Sequence, residues 1–318
     1  MKALSKRNLV ILGALLLFFV VVQVLIVTGI LNPFYEITLA TICINIILAV
    51  SLNLVTGFTG QFSLGHAGFM SIGAYVGAII NMQMNSTTGF LAGIFAGALA
   101  AAVVGILIGI PTLRLKGDYL AIATLGMAEI IRVVFLNLEI TNGAAGLNGI
   151  PRFTNWTWLF VFTAAAVILI NNFIRSSQGR ACISIREDEI AAESMGINTT
   201  KYKVMAFAIG AFFAGIAGAL YSSYFYFLKP GLFGFLKSID ILVIVVLGGM
   251  GSITGSVIAA VLLALITTFL QAFTEIRMIL YAAMLVIIMI FRPKGIMGTK
   301  EITDMFRFRF GNKEERLQ

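Results

Sequence analysis

Apolar residues run along this chain in long blocks, and polar residues are confined to the joins between them. Crossing ~30 Å of hydrocarbon takes about 20 helical residues. Blocks of roughly that length lie near 9–31, 37–56, 62–82, 90–113, 119–138, 157–174, 204–228, 253–273 and 277–291, with a further short one near 239–249. The pattern predicts an all-α, polytopic transmembrane helix bundle of about eight to ten spans, with broken or re-entrant Gly-rich segments. The first block follows Lys2, Lys6 and Arg7. It outlasts the about 7–15 residues of a secretory h-region and lacks a small-x-small cleavage site, so it reads as a retained span.

Composition narrows the class. Hydrophobic residues make up 59% of 318 positions and charged residues 11%, where a soluble chain carries roughly 25% charged residues. A water-soluble enzyme is excluded, because so apolar a chain cannot cover its own surface. The net charge of +8 reflects membrane topology rather than nucleic-acid binding. Basic residues gather at the N-terminus, at Arg114 and Lys116, in the loop 175–203 and in the C-terminal tail. The other side holds only Arg152, Lys229, Lys237 and Arg277, an asymmetry that predicts two cytoplasmic termini.

Small residues recur every fourth position in the fourth block (Gly93, Gly97, Ala101, Gly105, Gly109), with shorter stripes at Gly73/Gly77 and Ala211/Gly215/Ala219. Such stripes predict close helix packing within this subunit. An internal echo is also present. One apolar helix runs into Gly57-x-x-Gly60 and another into Gly248-x-x-Gly251, followed by Gly255. Paired interrupted helices of this kind can mark a transport pathway, and glycine pairs are also common in membrane helices for packing alone.

The 175–203 loop is the longest strongly charged join. Ser184-Ile-Arg-Glu187 has capping-box form, the acidic run Glu187, Asp188 and Glu189 suits the positive end of a helix, and Gly196 suits a left-handed stop. These predict one short helix near 185–195. Ile183, Ile190 and Ile197 fall on one side, Arg186, Glu189 and Glu193 face water or a partner, and Ala191 and Ala192 leave a low surface. Two readings stand, an amphipathic helix lying on the membrane and a docking element.

Polar residues inside the blocks are few. Glu129 and Arg132 share a helix face and can pair, either as a structural ion pair or as part of a polar pathway. Gln61, Ser63 and His66 sit at a Gly-rich helix entry. They either bond a passing zwitterion or satisfy backbone exposed by a broken helix. Asn45 and Asn53 suit helix-to-helix hydrogen bonds. With one histidine and two cysteines, Cys43 and Cys182, neither a metal site nor a disulfide framework is available. No triad or carboxylate pair supports chemistry on a substrate.

Three stretches together resemble the LivM-type permease of branched-chain amino-acid ABC importers. They are GFTGQFSLGHAGFMSIGAYVGA (57–78); LRLKGDYLAIATLGMAEIIR (113–132) with TNGAAGLNGIP (141–151); and GRACISIREDEIAAESMGINTTKYK (179–203), followed by VVLGGMGSITG and FRPKGIMG. The resemblance implies a permease domain over 1–298 and a basic cytoplasmic tail over 299–318, in a bacterial or archaeal cytoplasmic membrane. It implies a second homologous permease, two ATP-binding subunits and an extracytoplasmic binding protein as partners, and no nucleic acid. ATP and Mg would sit on the ATP-binding partners, and no cofactor on this chain, which lacks a G-x-x-x-x-G-K-[ST] loop. The family's coupling element, Glu-Ala-Ala-x-x-x-Gly, matches Ile190-Ala191-Ala192-x-x-x-Gly196, with Ile190 in place of the glutamate and Glu189 adjacent. The coupling residues implied are Arg186, Glu187, Asp188, Glu189, Ala191, Ala192, Glu193 and Gly196. The candidate pathway residues are Gln61, Ser63, His66, Glu129, Arg132 and Asn142. Cargo in such systems is hydrophobic amino acid. The alternatives are a urea, amide, nucleoside or simple-sugar permease of the same superfamily, and an ion-coupled secondary transporter.

Overall fold

The structure, a computed structural model, describes residues 6–29, 31–270, 283, 286, 290 and 295–298. It is an all-α helix bundle. The long helices are α1 (Lys6–Val27), α2 (Pro33–Asn53), α3 (His66–Met84), α4 (Thr87–Thr112), α5 (Asp118–Asn137) and α6 (Trp156–Arg175). Two short helices, α7 (Ser177–Glu187) and α8 (Glu189–Ser194), precede α9 (Thr199–Phe225), α10 (Phe235–Gly248) and α11 (Ile253–Phe269). A two-residue ribbon pairs β1 (Leu147–Asn148) with β2 (Phe227–Leu228), antiparallel.

Six stretches among the described residues are long and apolar enough to cross a membrane: Pro33–Phe58, α4, α5, α6, α9 and Pro230–Gly248. Helices α1, α3 and α11 fall on three more of the expected blocks. The block at 277–291 and the tail 299–318 lie almost wholly outside the described residues.

Cross-contacts order the helix ends. At one end Asn53 meets Ser252, Arg186 meets Gly57, and Glu189 meets Lys116 and Lys203. This end collects the basic residues and is called the basic end below. At the other, Asn81 reaches Pro151 and Ser223, and Thr38 reaches Thr268. Successive long helices therefore run in alternate directions.

The densest part of the bundle is α3, α4 and α9, and the small-residue stripes explain why. A Cβ on Gly97 would sit 2.8 Å from Gly73 O, and one on Gly93 2.8 Å from Gly77 O. On α9, a Cβ on Gly215 would sit 2.8 Å from Ala98 Cα and 2.9 Å from Ala101 Cβ. Lipid tails are as apolar as leucine, so helices gain little from simply leaving them. Close backbone contact supplies the attraction instead. Packing within this subunit, as the stripes predicted, accounts for them.

The same change at two glycines separates this contact from general helix propensity. Gly215→Ala forces α9 from α4 and costs about 1–3 kcal/mol, the usual range for overpacking. Gly126→Ala on α5 meets open space. Thermal unfolding in detergent is expected to show a lowered Tm for the first variant and an unchanged or raised Tm for the second.

Candidate functional site

The charged loop folds differently from the single helix predicted near 185–195. Ser184 lies inside α7, where its Oγ donates to Ala181 O at 2.8 Å. The chain breaks at Asp188, with φ −156°, and this carboxylate accepts from the amides of Ile190 (2.9 Å) and Ala191 (3.0 Å) to start α8. An aspartate able to take two amides is a stronger helix start than a serine already satisfied within a helix. The break also separates Ile183 from Ile190, so the seven-residue repeat does not form one face. Gly196 stops α8 at φ +82°, as predicted.

The coupling candidates sort into two sets. Arg186, Glu189 and Ala192 turn toward the bundle. Glu187, Asp188, Ala191, Glu193 and Gly196 are exposed, together with Ile190 at 74% and Met195 at 83% exposure. Glu189 bridges Lys203 at 2.7 Å and Lys116 at 3.5 Å, tying α8 to the start of α9 and the join between α4 and α5. The Lys203 hydrogen bond, opposed by burial and helped by the charges of Lys203 and Lys116, holds the Glu189 carboxyl below its ordinary range.

Arg186 carries the loop into the bundle. Its Nη1 donates to Gly57 O at 2.9 Å, and its guanidinium also pairs with Glu187. Gly57 lies in a π-helical turn, Leu54–Phe58, that ends α2. Gly251, φ +93°, joins α10 to α11, and a Cβ there would stand 2.8 Å from Arg186 Nη1. The two Gly-interrupted segments noted in the sequence therefore touch. Asn53 joins them: its Oδ1 accepts from Gly251 N at 2.9 Å, and its Nδ2 donates to Ser252 O and Ser256 Oγ, both at 2.8 Å. Asn53 is a helix-to-helix bond, as its position suggested. Asn45 Oδ1 lies 3.5 Å from Lys237 Nζ.

The candidate pathway residues do not form one cluster. His66 opens α3 and is buried, its Nε2 2.8 Å from Ser51 Oγ on α2. Ser63 Oγ accepts from Gly65 N at 3.3 Å. Gln61 is buried, and neither side-chain atom has a protein partner. Asn142 sits beyond the far end of α5, where its Nδ2 donates to Gly146 O at 3.2 Å and closes a turn.

Glu129 and Arg132 are paired at 2.6 Å, about one-third exposed, on the wall of a cavity of about 470 Å³. Its opposite wall is the segment Gly231–Asp240, including Lys237 and Asp240. Lys237 was expected in an outer loop. It lies in α10 instead, because α10 begins within the bundle rather than at its edge. Neither Lys237 nor Asp240 was singled out from the sequence. The only signal was two charges one turn apart beside Gly231 and Gly234.

The Glu189 contacts set a pH dependence. A carboxyl held below its usual value of 4.5 contributes stability that is fully present above that value and is lost as pH falls through the lowered one. Amide protection in 189–196, taken relative to the intrinsic exchange rate, is expected to fall as pH drops below about 4.5. In Glu189→Gln, protection there should be low already at neutral pH and show no such step.

The family model for the branched-chain amino acid transport system, permease component, matches residues 34–289. The high-affinity branched-chain amino acid transport system permease protein LivM of Salmonella typhimurium is 37% identical over 289 residues, covering 80% of this chain and 68% of the relative. LivM of Escherichia coli gives the same figures. The Escherichia coli permease protein LivH is 33% identical over 147 residues, 45% of this chain and 47% of the relative. These relatives are transport permeases, not enzymes. No solved structure matches the chain. The helix bundle and the matched region together place this multi-pass membrane protein: it belongs to the branched-chain amino acid transport system permease family.

Proposed function

We propose that this chain is the translocating permease subunit of an ATP-driven importer of branched-chain amino acids. It works with a second homologous permease, two ATP-binding subunits and an extracytoplasmic binding protein. ATP and Mg stay on the ATP-binding partners. The chain lies in a bacterial or archaeal cytoplasmic membrane with both termini inside, which the basic-residue asymmetry supports.

One observation carries the reading. The loop that displays Ile190 and Met195 on its outer side is the loop whose Arg186 reaches the junction of the two interrupted helices. An exposed apolar pair ringed by Glu187, Asp188 and Glu193 is the anatomy of a docking anchor with a polar rim. A push on α8 passes through Glu189 to α9 and the α4–α5 join, and through Arg186 to α2 and the α10–α11 join. Closure of the ATP-binding subunits thereby rocks the bundle between inward- and outward-open states. Ile190 in place of the family's glutamate makes this anchor apolar rather than ionic.

The second permease covers α5. That helix is the least enclosed of the six long stretches, and it carries Glu129 and Arg132. Charges at that depth do not face hydrocarbon; they face a water-lined path or a partner.

The test is ATP-dependent uptake of labelled leucine, isoleucine, valine and urea by the reconstituted complex with its binding protein. Uptake of the three amino acids and not urea is expected. Full-speed uptake by the permeases without the ATP-binding subunits would overturn the coupling scheme, and uptake of urea in place of the amino acids would overturn the cargo. Ile190→Asp removes an anchor that docking buries, a loss of about 2 kcal/mol, roughly thirtyfold in affinity. Titrating isolated ATP-binding subunit onto permease in nanodiscs reads it, with Thr200→Ala as the reference.

A further inference from the structure

We propose that Glu129, Arg132, Lys237 and Asp240 form a net-neutral zwitterion subsite for cargo, halfway across the bundle; this rests on the amino-acid reading above. Glu129 and Arg132 lie one turn apart on α5, and Lys237 and Asp240 one turn apart on α10. All four line the same cavity of about 470 Å³, within the ~300–1,000 Å³ of small-molecule sites.

Their depth follows from helix geometry. Glu129 stands about 16 Å along α5 from Asp118, and Lys237 about 16 Å along α10 from Gly248, at about 1.5 Å per residue. Both starting points lie at the basic end, because Leu64 N donates to Thr124 Oγ1 near the start of α5 and Asn53 holds Gly251. Ser238 Oγ, beside Lys237, accepts from Ala67 N in the first turn of α3, which fixes this part of α10 inside the bundle. The four charges therefore meet near the middle of a ~30 Å layer.

Charge balance selects the ligand class. Two positive and two negative groups sum to zero, and each wall carries one of each sign. Glu129 and Arg132 are paired, and Asp240 stands one turn from Lys237 on α10. A free amino acid brings a carboxylate and an ammonium on one carbon. Its carboxylate takes Arg132 and Lys237 while its ammonium takes Glu129 and Asp240, so every charge keeps an opposite neighbour. A cargo with net charge leaves one unit uncompensated at mid-depth of the bilayer, which is costly. Leu232, Phe235 and Leu236 line the same cavity and offer an apolar wall to a branched aliphatic side chain. Gly231 and Gly234 keep the segment between them low: Gly231 has open space where a side chain would begin, and a Cβ on Gly234 would lie 3.8 Å from Arg132 Cδ.

The experiment uses the assembled importer in proteoliposomes and reads leucine moved per ATP hydrolysed. Lys237→Met and Asp240→Asn should each lower that ratio about tenfold or more, the loss of one charge-assisted hydrogen bond. Lys237→Arg, which keeps the charge, should recover most of it. A second measurement does not depend on those variants folding. Gly231→Cys places a thiol on the cavity wall, while native Cys43 and Cys182 are buried and burial pushes the Cys182 thiol up to about 11. A hydrophilic thiol reagent should label the introduced thiol during turnover, and saturating leucine should slow that labelling severalfold.

Wild-type leucine-to-ATP ratios in both charge-removing variants would overturn the subsite. If those variants do not assemble, labelling of the Gly231→Cys complex that is indifferent to leucine overturns it. A wild-type complex that takes up no leucine at all overturns the cargo reading instead, so the two failures are told apart.

Discussion

Backbone that leaves a helix inside a bilayer must find its hydrogen bonds within the protein, and here two such breaks find them in each other. Asn53 is the hinge-pin of the arrangement. One buried amide side chain accepts from Gly251 N and donates to Ser252 O and Ser256 Oγ, so α2 and the α10–α11 join are held by three bonds from a single residue. An unmet buried polar group costs about 1–3 kcal/mol. The junction is therefore stable while those bonds hold and costly to pull apart. A side chain at Gly57 would strike Asn53 and Gly251, which is why both interruptions are built from glycine.

One arm of the 175–203 loop meets this junction. Arg186 lies across it, touching Gly57 and packing against Gly60 and Gly251. By contrast, α3, α4 and α9 press backbone on backbone along their glycine stripes, with Phe69 and Phe207 packed edge to face beside them. Interfaces of that kind shift as units, because a close-packed contact is bistable rather than continuously deformable. The bundle thus divides into a stiff block and a lightly covered part, α5 with the segment before α10. Glu189 grips the stiff block and Arg186 the junction, so one loop touches both.

The blocks, the glycine stripes and the left-handed stop at Gly196 were legible in the sequence, because each follows from a local rule: span length, bare backbone, or a positive φ. The break at Asp188 was not. Ser184 and Glu187 satisfy the spacing of a capping box, but the same spacing fits the interior of a helix, where a serine bonds backward to its own chain. Which serine or aspartate wins is decided by what lies underneath. Here Cys182 and Ile185 are buried beneath α7, which extends that helix past the serine, and the Lys203–Glu189 pair pulls α8 to a new direction. Nor does spacing reveal that the Gly57 and Gly251 regions meet, since they are far apart along the chain and are brought together by Asn53 and Arg186.

The depth of Lys237 escapes a hydropathy reading for a physical reason. Hydropathy marks charge as outside because a full-length span cannot hide it, but α10, with 14 residues, covers only about 21 Å at about 1.5 Å per residue. A helix that starts within the layer brings its first turn, and any charge on it, to a depth that a length-based reading reserves for apolar residues. Such a charge is tolerable only with a neighbour of opposite sign and a wall that admits water or cargo. Lys237 has both: Asp240 one turn on, and a cavity shared with Glu129 and Arg132. The stretch Pro230–Gly248 is long enough to cross the layer, but its α-helix begins only at Phe235, so the charge enters on the first turn of a helix already inside the bundle rather than in a loop outside it.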